Sequence, residues 1–230
     1  AVEEQEEVHR NINWKINNLE WDNLFNYAEG NQIDFTKLNG IVGIFGKNFS
    51  GKSSVIDSIL YTLYNSTSKN ERKNLNVINQ NKQNCTGKAI VSIGHKEYTV
   101  KRTSEKYVKK LKGEETLEAK TDVEFSVTDL ATGETTSLNG TTRNETDRII
   151  RKHFGTLEDF LMTSMSSQLG ALQFISEGST KRKEILAKFL DLELLDKKFK
   201  LAKEDATIIK SSIRQNEQTD YAAELKKFMV

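Results

Sequence analysis

The sequence holds a single cysteine, Cys85, among its 230 residues. One thiol cannot form an internal disulfide, so a disulfide-stabilised fold is excluded and a reducing compartment is indicated. There is no apolar run long enough to span a membrane, and the acidic first residues lack the apolar stretch of a signal peptide. We therefore expect a soluble cytoplasmic protein with no membrane partner.

Neither sign of charge dominates, since 34 Lys and Arg face 33 Asp and Glu. This balance excludes a basic field over the whole protein, so any contact with nucleic acid requires a local patch. Seven cations in and beside segment 101–112 form one candidate, suited to DNA phosphates rather than to base reading. An ordinary solvated charged surface explains them equally well. These residues are Lys96, Lys101, Arg102, Lys106, Lys109, Lys110 and Lys112.

The most informative feature of the chain is a glycine-rich motif near its N-terminus. Residues 46–53 read G-K-N-F-S-G-K-S, which matches the Walker A pattern G-x-x-x-x-G-K-[ST]. The apolar run 41–45 before it predicts a buried strand over 38–45, and apolar residues at helical spacing after it predict a helix over 53–64. A glycine-rich turn without a ligand is the alternative, but strand, loop and helix in this order favour a phosphate site.

Such a loop directs backbone N–H groups and a helix N-terminus at one small volume, which makes an anion site. Lys52 is predicted to reach the β- and γ-phosphates of a nucleotide, and Ser53 is predicted to bind the Mg²⁺ that bridges them. The motif therefore predicts ATP and Mg²⁺ as cofactors.

The rest of the chain changes from strand-like to helical patterns. Alternating residues predict strands within 14–35, separated by a turn at 29–31, and a meander through 89–100, 122–129 and 135–138. Helices are predicted at 147–154 and 157–165, followed by one long helix from Thr180. That helix carries a heptad seam, which favours a coiled coil over an amphipathic helix packed on the domain. The seam residues are Leu195, Phe199, Ala202, Ala206, Ile209 and Ile213.

A hydrolysing P-loop ATPase also needs an apolar strand that ends in Asp-Glu, and the chain has none. The nearest runs, 127–129 and 189–191, are predicted at a hairpin and within a helix. A Ser-Gly-rich signature of the ABC type is missing as well. The sequence therefore encodes a phosphate site without the groups that activate water.

Three stretches resemble the N-terminal half of the SMC-like ABC ATPase heads of the SbcC and Rad-fifty type, including the large subunit of a bacteriophage recombination exonuclease. They read K-I-N-N-L-E-W-D-N-L-F-N-Y-A-E-G-N-Q-I-D-F, then G-I-V-G-I-F-G-K-N-F-S-G-K-S-S-V-I-D, then F-L-M-T-S-M-S-S-Q followed by T-K-R-K-E-I-L-A-K-F-L-D-L. The resemblance covers about residues 14–215, and its third stretch is similar to the family's Q-loop and coil-entry helix.

The fold implied by this resemblance is α/β, a P-loop NTPase lobe of the ABC type with an antiparallel β-meander that ends in the start of a coiled-coil helix. The implied organisation is a leader at 1–13, the ATPase lobe at 14–180, and the coiled-coil base at 181–230. In that family the Walker B strand and catalytic Glu follow a long coiled coil. This chain would then be the truncated N-terminal part of an ATPase and inactive by itself.

Site residues are carried over from the same resemblance. Gln168 matches the Q-loop glutamine, which would bind Mg²⁺ together with Ser53 and sense the γ-phosphate; the alternative is a surface polar residue between helices. Phe49 stands where the family often has Gly. Phe25 aligns loosely with an arginine near the nucleotide, so a charge contact is lost there or replaced by stacking on the base. The positions matching the nucleotide-contacting loop are Gly46, Asn48, Phe49, Ser50, Gly51, Lys52, Ser53 and Ser54.

The resemblance further implies an ATPase subunit of an ATP-dependent DNA exonuclease, acting in double-strand-break repair and recombination. Its heads would form a homodimer around two ATP molecules and work with an SbcD-type nuclease on double-stranded DNA ends, in the host cytoplasm if the source is a phage. One alternative is an SMC-like structural coiled-coil protein with a nucleotide-dependent dimerisation switch. A small-molecule kinase is disfavoured, because no arginine-rich lid or Walker B strand occurs.

Overall fold

The computed structural model describes residues 13–48, 50–68, 74–111, 114–164, 175, 177–190, 192–218 and 225. The chain divides into two compact units, residues 1–168 and residues 169–230, which are described separately. The predicted leader lies almost wholly outside the described residues, as do Phe49, Lys112, Met165 and Gln168. No helix in the described part of the chain combines the length and apolarity needed to cross a membrane.

Six strands of the first unit form one sheet in the order β2-β1-β3-β4-β5-β6, and every neighbouring pair is antiparallel. The predicted meander is confirmed, with tight turns at Gly94 and Gly133 that both have positive φ. The strands are β1 Lys15–Asp22, β2 Asn31–Asp34, β3 Asn84–Ile93, β4 Lys96–Leu111, β5 Glu114–Asp129 and β6 Thr135–Ser137.

The basic segment 101–112 lies mostly within β4 rather than after the strand. Strands β4 and β5 each contain 16 residues and pair along their whole length. The pairing of β3 with β4 stops at Asn84 and Glu105, so residues 106–111 and 114–119 continue as a two-stranded ribbon beyond β3. Sequence patterns missed this extension because the ribbon has charged residues on both faces and no apolar alternation.

Three helices pack with the sheet, α1 Lys52–Tyr64, α2 Arg143–Phe154 and α3 Leu157–Thr163, and all three were predicted. Helix α1 buries Val55, Ile59 and Leu63 in the core. It approaches β3 closely at Gly87, where an added Cβ would collide with the Thr62 hydroxyl. Glycine at this position therefore allows the helix that begins at the phosphate loop to lie directly on the sheet.

Aromatic rings connect α2 and α3 to the strands. Phe154, the last residue of α2, packs edge-on against Tyr98 and Phe125 at centroid distances of 5.9 and 5.8 Å. Phe160 of α3 stacks on Trp14 at 5.7 Å. Each helix begins with a threonine cap, and Thr156 forms a reciprocal capping box with Asp159. These contacts hold α2 and α3 against the core of the first unit.

The predicted strand at 38–45 is wrong, because residues 38–47 form no strand in this structure. Its apolar side chains are exposed, with Phe45 at 93% and Val42 at 50%. An apolar run of this kind suits a central parallel strand, which needs hydrogen-bonded neighbours on both sides. In the described part of the chain the sheet ends at β2 and β6, and neither strand pairs with this segment.

The second unit contains α4 Ser179–Phe189 and α5 Glu193–Gln218, so the prediction of one continuous helix is wrong. Backbone hydrogen bonds at Leu192 connect the end of α4 to the start of α5. The Leu192 N–H donates to the Ala187 carbonyl at 2.8 Å, and the Leu192 carbonyl accepts from the Leu195 N–H at 3.0 Å. Seam residues on α5 are exposed, including Phe199 at 67% and Ile209 at 58%.

Candidate nucleotide-binding site

The Walker A residues lie at the N-terminus of α1, as predicted. Gly51 is the residue before the helix and has a left-handed conformation with φ of +91°. Glycine adopts this conformation without strain, and as a cap it has no side chain to occupy the first N–H groups of the helix. Those N–H groups and the positive end of the helix dipole together favour an anion.

Lys52 folds back over the loop. Its ammonium donates to the carbonyl oxygens of Gly46 at 2.9 Å and Lys47 at 2.6 Å. An ammonium has three donor hydrogens, so these two bonds hold Lys52 across the mouth of the loop and leave a third donor for a phosphate oxygen. The lysine is therefore placed by the loop's own backbone.

The serines and glycines of the loop fit closely together. A Cβ on Gly46 would lie 2.7 Å from the Ser50 hydroxyl, so a side chain at residue 46 would force Ser50 to move. The Ser50 N–H donates to the Lys47 carbonyl at 3.2 Å, and the Ser54 N–H donates to the Gly51 carbonyl at 3.0 Å. Asn48, Ser50 and Ser53 are exposed, so their side chains are accessible to a ligand.

Two residues that sequence reasoning did not select lie against the loop, Asn26 and Tyr27 from the turn between β1 and β2. The Tyr27 hydroxyl donates to the Gly51 carbonyl at 3.0 Å. Phe25, which was predicted near the nucleotide, is half-buried and packs against the hydrophobic core. The turn thus does approach the phosphate loop, but through the next two residues.

The predicted DNA-binding cluster is wrong for Arg102, whose side chain is fully buried and paired with Asp147 at 2.7 Å. Three of the lysines are paired with carboxylates across the β4–β5 pair, and Lys106 donates to the backbone carbonyls of Asn79 and Gln80. These pairs reduce the positive potential that a phosphate-binding patch requires. They are Lys101–Glu124, Lys109–Glu118 and Lys110–Glu115.

Comparison with known proteins supports an ATP site. The family model described as AAA domain matches residues 18–228. Uncharacterized protein R555 of Acanthamoeba polyphaga mimivirus is 31% identical over 226 residues, which is 93% of this chain but 16% of that protein. The chain thus spans about a sixth of the length of this relative.

Two solved structures of the recombination mediator protein RecF in the RecFOR pathway are similar to part of the chain. The RecF-ATP structure has a TM-score of 0.35 and 15% identity over 47% of this chain and 28% of RecF. The RecF-ATPrS structure has a TM-score of 0.35 and 16% identity over 48% and 28%. The family assignment rests on the family model and on the phosphate loop at the head of α1. The chain belongs to the AAA domain family and has the α/β fold of an ATP-binding P-loop ATPase.

Proposed function

We propose that this chain is the N-terminal, ATP-binding half of an SMC-like ATPase that acts in DNA double-strand-break repair or recombination. The observation that carries the proposal is the Walker A loop at the head of α1, with Lys52 held across its mouth by two carbonyl oxygens. ATP would bind with its β- and γ-phosphates against Lys52 and the first N–H groups of α1. Mg²⁺ would bind the Ser53 hydroxyl and phosphate oxygens, as the hydroxyl of this motif does in P-loop NTPases.

The exposed segment 38–45 supports the proposal that a second lobe completes the head. Its apolar residues read as a central strand, and such a strand needs parallel neighbours on both sides. We assign those neighbours to a C-terminal half that also supplies the Walker B carboxylates. The relative from mimivirus is long enough to contain such a half, because this chain matches 16% of it.

The exposed heptad seam on α5 supports a coiled coil between the two halves. Four seam side chains are at least 50% exposed, namely Leu195, Phe199, Ile209 and Ile213. Their apolar surface is available to pack against a partner helix. In the proposed head, ATP drives dimerisation, and Gln168 carries the state of the γ-phosphate to the coil. ATP-driven dimerisation would in turn control an SbcD-type nuclease that acts on double-stranded DNA ends.

The proposal is tested by replacing Lys52 in the complete protein. Lys52→Ala removes the cation directed at the phosphates, and charge-assisted hydrogen bonds contribute about 1.5–3 kcal/mol each. ATP affinity measured by calorimetry should therefore fall by at least tenfold. Lys88→Ala is the matched control, because Lys88 is a surface lysine paired with Glu20 on the sheet. Equal affinity in wild type and Lys52→Ala would contradict the assignment.

A nuclease assay separates this function from the structural alternative. Co-expressed SbcD-type nuclease should cleave double-stranded ends faster with the wild-type ATPase and ATP than with Lys52→Ala. If the wild-type protein dimerises in the presence of ATP but leaves the nuclease rate unchanged, the protein is a nucleotide-switched structural protein.

A further inference from the structure

The turn between β1 and β2 contacts the phosphate loop across a gap of 24 residues in the sequence. Its Tyr27 hydroxyl donates to the backbone carbonyl of Gly51 at 3.0 Å. A Cβ on Gly51 would lie 3.0 Å from the Asn26 carboxamide oxygen and 3.3 Å from the Tyr27 ring. A side chain at residue 51 would be strained by the positive φ, and the turn would have to shift by a few tenths of an ångström to accommodate it.

Tyr27 is itself firmly held. Its ring packs edge-on against Trp21, which is almost fully buried, at a centroid distance of 5.3 Å. Its N–H donates to the Leu24 carbonyl at 2.9 Å, and its carbonyl accepts from the Asn79 side chain at 3.0 Å. The phenol hydroxyl is thus attached to the sheet and core and not to a loose surface loop.

The turn reaches the phosphate loop through an uncommon backbone path. Asn23 and Phe25 both have left-handed conformations, with φ of 55° and 57°. Such conformations are uncommon for residues other than glycine, and they cluster where surrounding structure requires a specific geometry. Backbone bonds from Asn23 to Ala28 at 3.0 Å and from Phe25 to Val77 at 2.7 Å hold the path.

The bond from Tyr27 helps to fix the direction of an N–H group in the phosphate site. A peptide unit is planar and trans, so its carbonyl and its N–H point in opposite directions. The Gly51 carbonyl is held on one side by Tyr27 and also accepts the Ser54 N–H at 3.0 Å. The Lys52 N–H, which belongs to the same peptide unit, must therefore point away from Tyr27.

We propose that Tyr27 is a positioning residue for the phosphate site, acting through the Gly51 carbonyl to orient the Lys52 N–H toward a bound phosphate. The inference rests on the proposed nucleotide binding and names a further residue that tunes it. Tyr27 touches the loop backbone, so its contribution is to the phosphates and is independent of the base.

The test compares Tyr27→Phe with wild type in the complete protein, using calorimetry with Mg-ADP and with Mg-pyrophosphate. The variant keeps the ring against Trp21 and deletes only the hydroxyl. Both ligands should bind about three- to tenfold more weakly, as expected for one neutral hydrogen bond.

Tyr64→Phe is the matched control, because the Tyr64 hydroxyl donates to the Phe154 carbonyl at the opposite end of α1. Its affinities should equal those of wild type. Unchanged binding by Tyr27→Phe, a loss confined to Mg-ADP, or an equal loss in Tyr64→Phe would each overturn the proposal. Loss of binding in Lys52→Ala together with wild-type binding by Tyr27→Phe would overturn this inference alone. Failure of the wild-type protein to bind either ligand would instead overturn the proposed function.

Discussion

Replacing Asp147 tests how much the buried Arg102, which binds the C-terminal turn of α1, contributes to the stability of the first unit. Arg102 is fully buried, and its guanidinium donates to Asp147 at 2.7 Å and to the carbonyls of Thr62 and Leu63 at 3.1 and 3.4 Å. Those two carbonyls belong to the last turn of α1, where the helix dipole also favours a cation. Among the described residues the Arg102 Nη1 atom has no hydrogen-bond partner, so this charge depends heavily on Asp147.

The expected cost follows from leaving a buried charge without its counter-ion. Removing one partner of a buried pair typically costs about 3–5 kcal/mol. Asp147→Asn keeps a hydrogen-bond acceptor, and the two carbonyls still hold the guanidinium, so we expect about 2–3 kcal/mol. For a chain of this size that loss lowers the melting temperature by roughly 4–12 °C. Asp147 also lies 3.9 Å from Arg143, but that pair is partly exposed and contributes little.

Urea denaturation followed by tryptophan fluorescence measures the effect, since Trp14 and Trp21 both lie in the first unit. Glu118→Gln is the matched control, because it removes an exposed partner of Lys109 and should cost less than about 1 kcal/mol. Arg102→Met combined with Asp147→Leu removes both charges and should recover most of the loss. An Asp147→Asn variant as stable as Glu118→Gln would refute the reasoning.

Two further predictions concern head dimerisation and alkaline pH. Gln168→Ala in the complete protein should leave nucleotide binding nearly intact but weaken ATP-driven dimerisation, because only a residue that distinguishes ATP from ADP can shift that equilibrium. Sedimentation with a non-hydrolysable analogue measures it, and equal dimer fractions would make Gln168 an ordinary surface residue. Burial raises the pKa of the Cys85 thiol and of the Tyr61 and Tyr64 phenols. The unfolded chain releases these protons from about pH 8.5 for the thiol and about pH 10 for the phenols, while the folded chain retains them. The free energy of unfolding should therefore fall as pH rises above about 8.5. Tyr64→Phe should make the free energy of unfolding, measured by urea titration at pH 8 to 10.5, fall less steeply with pH. Identical slopes of this free energy against pH in wild type and Tyr64→Phe would contradict a raised pKa of the Tyr64 phenol.

Local patterns were sufficient where neighbouring residues determine the structure. The glycines of 46–53 followed by helical spacing predicted a loop at the head of α1, and the helix begins at Lys52. Alternation and turn glycines predicted the meander, because period-two patterning and turns are short-range properties. The break between α4 and α5 was missed, since it contains no Gly or Pro and is closed by backbone bonds around Leu192.

Patterns failed where the outcome depends on partners distant in sequence. Segment 38–45 has the composition of a central strand, but composition cannot supply the neighbouring strands, and its residues remain exposed. Arg102 and Lys101 are adjacent in a basic run, yet the alternation of β4 buries the first and exposes the second. A charge count along the chain cannot make this distinction.

The sequence by itself determined the phosphate loop, the helix behind it and the antiparallel meander, because each depends on the conformational preferences of a few consecutive residues. Only the tertiary structure decided that the Tyr27 hydroxyl bonds the Gly51 carbonyl and that Asp147 pairs with Arg102. It also decided that the missing side chain at Gly87 lets α1 pack closely on β3. These contacts join residues 24 to 45 positions apart. The register of the sheet and the packing of α1 bring them together, and no local propensity encodes that register.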